Sequence, residues 1–312
     1  MTIIAPLLFL SVLVLTCYLE AKSLLLRLLG REARFRKADW ILHTVAGAGL
    51  LCILYGRLIE PTWIEVRTHE LRSAKIRPES GRIRVVQLAD LHSEGSPLNE
   101  ERVPAMVSAL QPDIIALTGD YVNGTAGLPV FEKMVRQLKA PAGIFVVQGN
   151  YDWGMRELHE LTRNLPVTWL SQDTREVEVR GTRLRLMGLD VGNEPSFRSL
   201  AASGGKGAFN LLLFHYSDLA YEAEAAGVDL YLSGHTHGGQ VRLPFYGALV
   251  TLARFGKRFE GGLYRLGATT LYVSRGLGVE GGLAPRVRFL CRPEIAVFDL
   301  LPIKPQQTAT SS

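Results

Sequence analysis

The sequence predicts an α/β layered fold carried behind an apolar helical hairpin, and three observations predict it. From Arg82 onward, short apolar runs alternate with helical stretches. Those runs are hydrophobic at successive positions, the pattern of strands buried on both faces. Their carboxyl ends repeatedly carry Asp, Asn or His, often beside Gly, and α/β sheets place their sites just beyond those ends.

The chain of 312 residues has room for one large domain or two small ones. Hydrophobic content is 47% and mean hydropathy +0.12, and the apolar excess is concentrated at the N-terminus. A net charge of +5 and a pI near 9.1 suit an anionic partner such as a phosphate compound or an acidic lipid head group. No aromatic-basic RNA signature or zinc-finger spacing is present, so no nucleic-acid partner is expected. Cys17, Cys52 and Cys291 form neither a disulfide framework nor a Cys-x-x-Cys site.

Ile3 to Leu19 is uncharged and apolar apart from Ser11 and Thr16, just long enough for a hydrocarbon core. No basic n-region or small-residue cleavage site marks it as a signal peptide. Trp40 to Ile59 is a second apolar run, with His43 and Arg57 its only ionisable members and Trp40 and Tyr55 suited to the interfaces. Residues 1–60 are therefore expected to form two transmembrane helices, joined by a basic connector over 20–39. That connector carries Lys22, Arg27, Arg31, Arg34, Arg36 and Lys37 against Glu20, Glu32 and Asp39. The positive-inside rule puts it in the cytoplasm and the large C-terminal part outside. Arg57, Arg67, Arg72, Lys75 and Arg77 pull the other way and suit anionic lipid. Residues 61–81 read as a linker.

In the domain expected over 82–301, strands are predicted at Ile83–Ala89, Ile114–Thr118, Gly143–Gln148, Arg175–Val179, Arg183–Leu189, Leu211–Phe214 and Leu230–Leu232. Helices are predicted at Glu100–Leu110 (with Asn99 as N-cap), Val130–Leu138, Met155–Asn164 and Asp218–Ala226. Val241 to Leu300 is Gly-rich and β-leaning, and the polar tail 302–312 reads as disordered.

The strand ends read Asp90-Leu-His92, Thr118-Gly-Asp120, Gly149-Asn150-Tyr151-Asp152, His215 and Gly234-His235-Thr-His237-Gly-Gly-Gln240. A capping Asp or a satisfied buried His explains any one of these, but a random core does not place ligand-bearing groups at five strand ends. Carboxylate, amide and imidazole without thiolate suit Mn²⁺, Fe or Zn²⁺ in a catalytic site. The donors suffice for two ions if one carboxylate is shared.

These five motifs, in order from about Arg82 to Gln240, resemble the calcineurin-like metallophosphoesterases. Val273-Ser-Arg-Gly-Leu-Gly278 and Pro293-Glu294 resemble that superfamily's membrane-anchored bacterial branch. The resemblance implies a four-layer αββα sandwich with two mixed β-sheets and a centre of two divalent ions, Mn²⁺ first. It implies Asp90, His92 and His237 on one ion, and Asn150, His215 and His235 on the other, with Asp120 bridging. One departure stands out: the family's Gly-Asn-His-Asp reads Gly-Asn-Tyr-Asp here, and a phenol of pKa about 10 is a poorer proton donor than imidazolium. Asn150, Tyr151 and Asp152 are the catalytic candidates, with Asp152 either orienting its loop or capping a helix.

Nine basic residues between Arg242 and Arg292, against Glu260 and Glu280, suit the entry of a polyanionic substrate. Phe245, Tyr246, Leu249, Leu252 and Phe255 form either an acyl-chain patch or core. The expected function is a metal-dependent hydrolase of a phosphoester or pyrophosphate bond at a bacterial inner membrane. By resemblance, its substrate is lipid-linked, such as UDP-2,3-diacylglucosamine in lipid A synthesis. The alternatives are an extracytoplasmic phosphatase or phosphodiesterase on small soluble esters, and a metal-binding membrane module without turnover.

Overall fold

The computed structural model describes residues 4–30, 37–153, 158, 162–203, 205, 207–281 and 286–303. Its strands, in chain order, are β1 Glu65–Ser73, β2 Ile83–Leu88, β3 Ile114–Thr118, β4 Ile144–Val147, β5 Thr168–Trp169, β6 Asp173–Val179 and β7 Thr182–Leu189. They continue with β8 Phe209–Phe214, β9 Leu230–Ser233, β10 Arg242–Leu243, β11 Gly247–Ala248, β12 Gly262–Leu266, β13 Thr269–Val273 and β14 Glu294–Pro302. Two six-stranded sheets result, ordered β1-β14-β2-β3-β4-β5 and β12-β13-β9-β8-β7-β6, with β10 and β11 pairing separately. Both are mixed: β14 runs antiparallel to β2 in the first, and β6 and β12 run antiparallel to their neighbours in the second.

Alternation along each strand divides the core into three apolar layers. On β2, Ile83 and Val85 face the second sheet and join Leu186, Leu211 and Leu232 between the sheets. Val86 and Leu88 face the other way, onto helices α3 (Val103–Leu110) and α4 (Leu128–Val135) through Val107, Phe131 and Val135. The outer face of the second sheet packs Leu212, Phe214 and Tyr231 against the helices Phe197–Ala202 and Ala220–Ala225. The order is helix, sheet, sheet, helix.

Several expectations are corrected. Residues 61–81 do not merely link: β1 lies among them and pairs in parallel with β14 from Glu65↔Glu294 to Ser73↔Pro302. Its burial alternates along one edge of the sheet, so its sequence carries only a weak apolar signal. Helix α3 begins at Val103 rather than Glu100, because the Asn99 side chain donates to the Pro61 and Leu277 carbonyls, each at 2.9 Å, instead of capping. Of the helix expected over Met155–Asn164, residues 155–157 and 159–161 lie outside the described residues, as do Arg31, Arg34 and Arg36 and most of the tail.

At the N-terminus, α1 (Ile4–Leu28) and α2 (Lys37–Leu58) lie side by side, with Arg27 3.5 Å from Asp39 and Glu20 bonded to His43. Among the described residues one stretch, Asp39–Thr62, is long and apolar enough to cross a membrane. A hairpin of two spans is thus not what the structure establishes.

Candidate metal centre

Five of the expected ligands sit in left-handed backbone, a conformation that L-residues rarely adopt: Asp90 (φ 48°), His92 (46°), Asp120 (55°), His235 (71°) and His237 (50°). Each stands where the chain turns sharply off a strand end, and such strain persists only where the surroundings enforce it. The turns aim all five side chains into one space between the ends of the two sheets.

Two groups form there. Donor atoms of Asp90, His92 and His237 lie within 4.8 Å of one another, as do those of Asp120, His215 and His235. The groups meet at Asp120, whose Oδ2 is 3.6 Å from His92 Nε2 and 3.2 Å from His215 Nε2. Asn150 Oδ1 lies 3.0 Å from the same His215 nitrogen. Among the described site candidates only Tyr151 and Asp152 stand outside this ring of donors.

Neighbouring groups fix which ring nitrogens face the centre. Asn123 donates its amide to Glu94, so its Oδ1 accepts at 2.7 Å from His92 Nδ1, which leaves the His92 Nε2 lone pair facing inward. His215 Nδ1 donates to the Thr118 carbonyl at 2.7 Å, with the same effect. The inward Nε2 atoms of His92 and His237 are 3.0 Å apart, and Asp90 Oδ2 is buried with no hydrogen-bond partner. Arg288 lies 3.5 Å from His237 Nδ1, so these two Nε2 atoms share one proton, and converging imidazoles beside an orphaned carboxylate oxygen suit divalent cations that would displace it.

Burial and mutual charge set the protonation of these groups. Burial and the nearby Asp120 charge push Asp90 up to about 7. Burial also opposes ionisation of Asp120, but the His215 imidazole overrides it and holds Asp120 at about 2. Burial lowers His235 to about 4, with His215 adding to the effect, and drives His237 well below its ordinary value. His235 and His237 are therefore neutral, as metal ligation needs, whereas burial of His215 is overridden by Asp120, which raises it to about 10, so an ion bound there would displace its proton.

Asp152 lies behind the ligands. Its carboxylate accepts the amides of Asp120 (2.7 Å), Tyr121 (2.9 Å) and Gly149 (2.9 Å), which ties the β3 and β4 end loops together. Its carboxylate faces these amides rather than the ring of donors. Tyr151 packs edge-on against His92 at 4.7 Å, and its amide holds Asp120 Oδ1 at 2.9 Å. Its hydroxyl donates to Glu280 Oε1 at 2.7 Å, and burial followed by that carboxylate pushes the phenol well above its ordinary value.

Sequence reasoning missed Glu280 and Asn123. Glu280 Oε2 is 3.7 Å from His237 Nε2, and Gln240 pins the Glu280 backbone at both its amide (3.0 Å) and its carbonyl (2.8 Å). On the sequence Glu280 is a lone acid in a basic stretch, and Asn123 a turn residue beside Gly124. The late motifs prove to be braces. The Leu277 and Gly278 amides donate to the Ala89 and Asp90 carbonyls, and Glu294 accepts from Tyr272 and Arg275.

The basic stretch is largely structural too. Arg288 is fully buried and donates to the carbonyls of Arg275, Gly278 and Cys291. Arg275 pairs with Glu294 and Glu65, and Arg292 covers Trp63.

Comparison with known proteins places this geometry. The family model described as calcineurin-like phosphoesterase matches residues 83–239. The uncharacterized metallophosphoesterase YkuE of Bacillus subtilis is 32% identical over 258 residues, covering 79% of this chain and 88% of that protein. The phosphodiesterase YaeI of Escherichia coli is 29% identical over 256 residues, covering 79% and 92%. A solved structure of Haemophilus influenzae NAD nucleotidase covers 64% of this chain and 46% of that one, at 14% identity and a TM-score of 0.48. The matched span runs from β2 through His237 and so contains both donor groups, and the chain belongs to the calcineurin-like phosphoesterases, enzymes that depend on divalent metal.

Proposed function

We propose that this enzyme is a membrane-anchored, two-metal phosphodiesterase that cleaves a phosphodiester or pyrophosphate bond in an amphiphilic substrate, with a nucleotide-like leaving group. The observation that carries the two-metal reading is Asp120, whose one oxygen is within 3.6 Å of a histidine from each donor group. Asp90, His92 and His237 would hold one ion and Asn150, His215 and His235 the other, with Asp120 available to both. Mn²⁺ is the first choice, with Fe or Zn²⁺ compatible with the same donors.

Two cations so held would supply Lewis-acid charge and lower the pKa of water for phosphoester hydrolysis. The chain's own part is to fix geometry. Asp152 sets the spacing of the loops bearing Asp120 and Asn150, and the Tyr151 amide fixes the rotation of the Asp120 carboxylate. The Tyr151 hydroxyl is committed to Glu280 and is a weak acid, so the leaving oxygen receives little help in protonation. This favours substrates whose leaving group departs as a stable anion, and the Escherichia coli relative named a phosphodiesterase points the same way.

A lipid-linked substrate is supported by the apolar stretch Asp39–Thr62, which ends against the catalytic domain. A UDP-linked acylated sugar of the UDP-2,3-diacylglucosamine type meets both requirements. We place the chain in a bacterial inner membrane with two spans; the connector's charge favours the catalytic part outside, the UDP-linked substrate a cytoplasmic face, and a topology assay decides between them. Purification in detergent, metal analysis, and assay on UDP-2,3-diacylglucosamine beside a soluble chromogenic phosphodiester test the reading. Near two metals per chain and faster turnover of the lipid-linked compound are expected. Equal rates on both would replace the lipid substrate with a small soluble ester, and bound metal without any turnover would leave a binding module.

A further inference from the structure

The last turn of α2 is built into the catalytic domain. The Arg288 amide donates to the Gly56 carbonyl at 2.9 Å, and a Cβ at Gly56 would sit 2.8 Å from the Arg288 carbonyl oxygen. Arg57 donates to the Arg286 carbonyl at 3.0 Å, Glu60 accepts from the Leu290 amide at 2.9 Å, and Tyr55 meets Phe289 edge-on. The segment 286–292 therefore lies fixed at the end of the apolar helix.

Phe289 is in turn bridged to the β10–β11 hairpin. It donates to the Gln240 carbonyl at 2.8 Å and accepts from the Arg242 amide at 2.9 Å. The hairpin tip is apolar and bare: Phe245 is fully exposed, and Leu243, Tyr246 and Leu290 are 44%, 57% and 48% exposed. These four residues, with Arg242 and Pro244, line a cleft of about 440 Å³. Phe245 holds a left-handed backbone (φ 64°), which strains an aromatic residue for no packing gain inside the domain. Lys257 lies over the Tyr246 ring at 3.7 Å, a cation beside an aromatic tip.

We propose that the hairpin tip Leu243–Tyr246, together with Leu290, inserts into the anionic leaflet at which α2 emerges, and thereby seats the metal centre on the bilayer surface. The inference rests on the reading of α2 as a membrane span. Continuity identifies the occupant: the exposed rings share segment 286–292 with the end of that helix, so the leaflet the helix leaves is the one the tip reaches. Burying an aromatic ring in acyl chain recovers the hydrophobic energy its exposure forfeits, while Arg242 and Lys257 at the base, both paired with Glu260 (2.7 and 3.3 Å), leave that cluster one net positive charge toward lipid phosphates. Only Gln240 and Val241 separate the Gly234–Gly239 ligand loop from the hairpin, so insertion of the tip brings the site's mouth against the head groups.

The test uses the full chain with Cys17→Ala and Cys52→Ala, reconstituted into phosphatidylglycerol–phosphatidylcholine vesicles. A spin label is placed through Phe245→Cys or, as a control on the β6 edge, through Glu178→Cys. The label at 245 is expected to collide with dissolved oxygen several-fold more, relative to a water-soluble nickel chelate, than the label at 178. Alkaline carbonate washing of the chain lacking residues 1–30 reports separately on α2. Chain retained on the vesicles with the 245 label as wet as the control overturns the insertion alone. Chain washed off overturns the span, and the insertion with it.

Discussion

Asp152 holds two ligand loops with one carboxylate, and its three amide donors come from two strand ends that the sequence separates. Asp152→Asn keeps the volume but turns one acceptor into a donor facing backbone N–H groups. A stability loss of about 1–3 kcal/mol is expected, read by denaturant titration, together with lower metal content. Asp120→Asn removes the charge shared by both donor groups and should abolish turnover with the fold intact by circular dichroism; retained turnover would end the two-metal reading. Tyr151→His introduces an imidazole with an ordinary pKa near 6.5 beside the centre. It should raise turnover of esters with poor leaving groups by roughly a hundredfold, with far less effect on aryl esters. An equal effect on both would show that Tyr151 does not limit leaving-group departure.

At the scale of elements, the braces behind the site decide its shape. Gly276 holds φ 70°, and a Cβ there would lie 2.6 Å from the Asp90 Cβ. Gly276→Ala should therefore cost about 1–3 kcal/mol and displace Asp90, read as weakened metal retention in the folded protein. Asp113 joins the sheets at their far end, accepting from Arg180 at 2.6 Å and from the Arg84 amide at 2.7 Å. Burial would raise this carboxyl, but Arg180 and the amide outweigh it and hold it below its ordinary value. A lowered folded pKa means the contribution is complete above the ordinary carboxylate range and fades as pH falls through the lowered value. Thermal melts of wild type and Asp113→Asn should accordingly differ near neutrality and converge in acid.

For the whole molecule, metal binding and stability are one equilibrium. Each ion held at a hundredfold excess over its Kd adds about 2.7 kcal/mol to the folded state. Chelation should lower the melting temperature, and readdition of Mn²⁺ should restore it; a melt indifferent to metal would show that the donors hold none. The α/β layering was legible because strands buried on both faces read as continuous apolar runs, as at Ile114–Thr118, whereas the four layers came only with the family resemblance. Strand β1 was not legible, because its partner β14 is far away in the chain and its alternating burial resembles that of a solvated linker. The basic stretch misled for a related reason: charge is visible in the sequence, but whether an arginine meets solvent or a ring of carbonyls, as Arg288 does, depends on distant chain.

What the sequence by itself determined is the set of donors and their order, since each sits at the end of its own strand and local pattern marks strand ends. The family resemblance implied how those donors divide; only the tertiary structure decided that Asp120 Oδ2 lies between His92 and His215, and that the Tyr151 hydroxyl is taken by Glu280, 129 positions away. The reason is physical. A strand and its turn are fixed by contacts within a few residues, whereas a shared carboxylate and a buried phenol are fixed by whichever chain segments the two sheets bring into the same few ångströms.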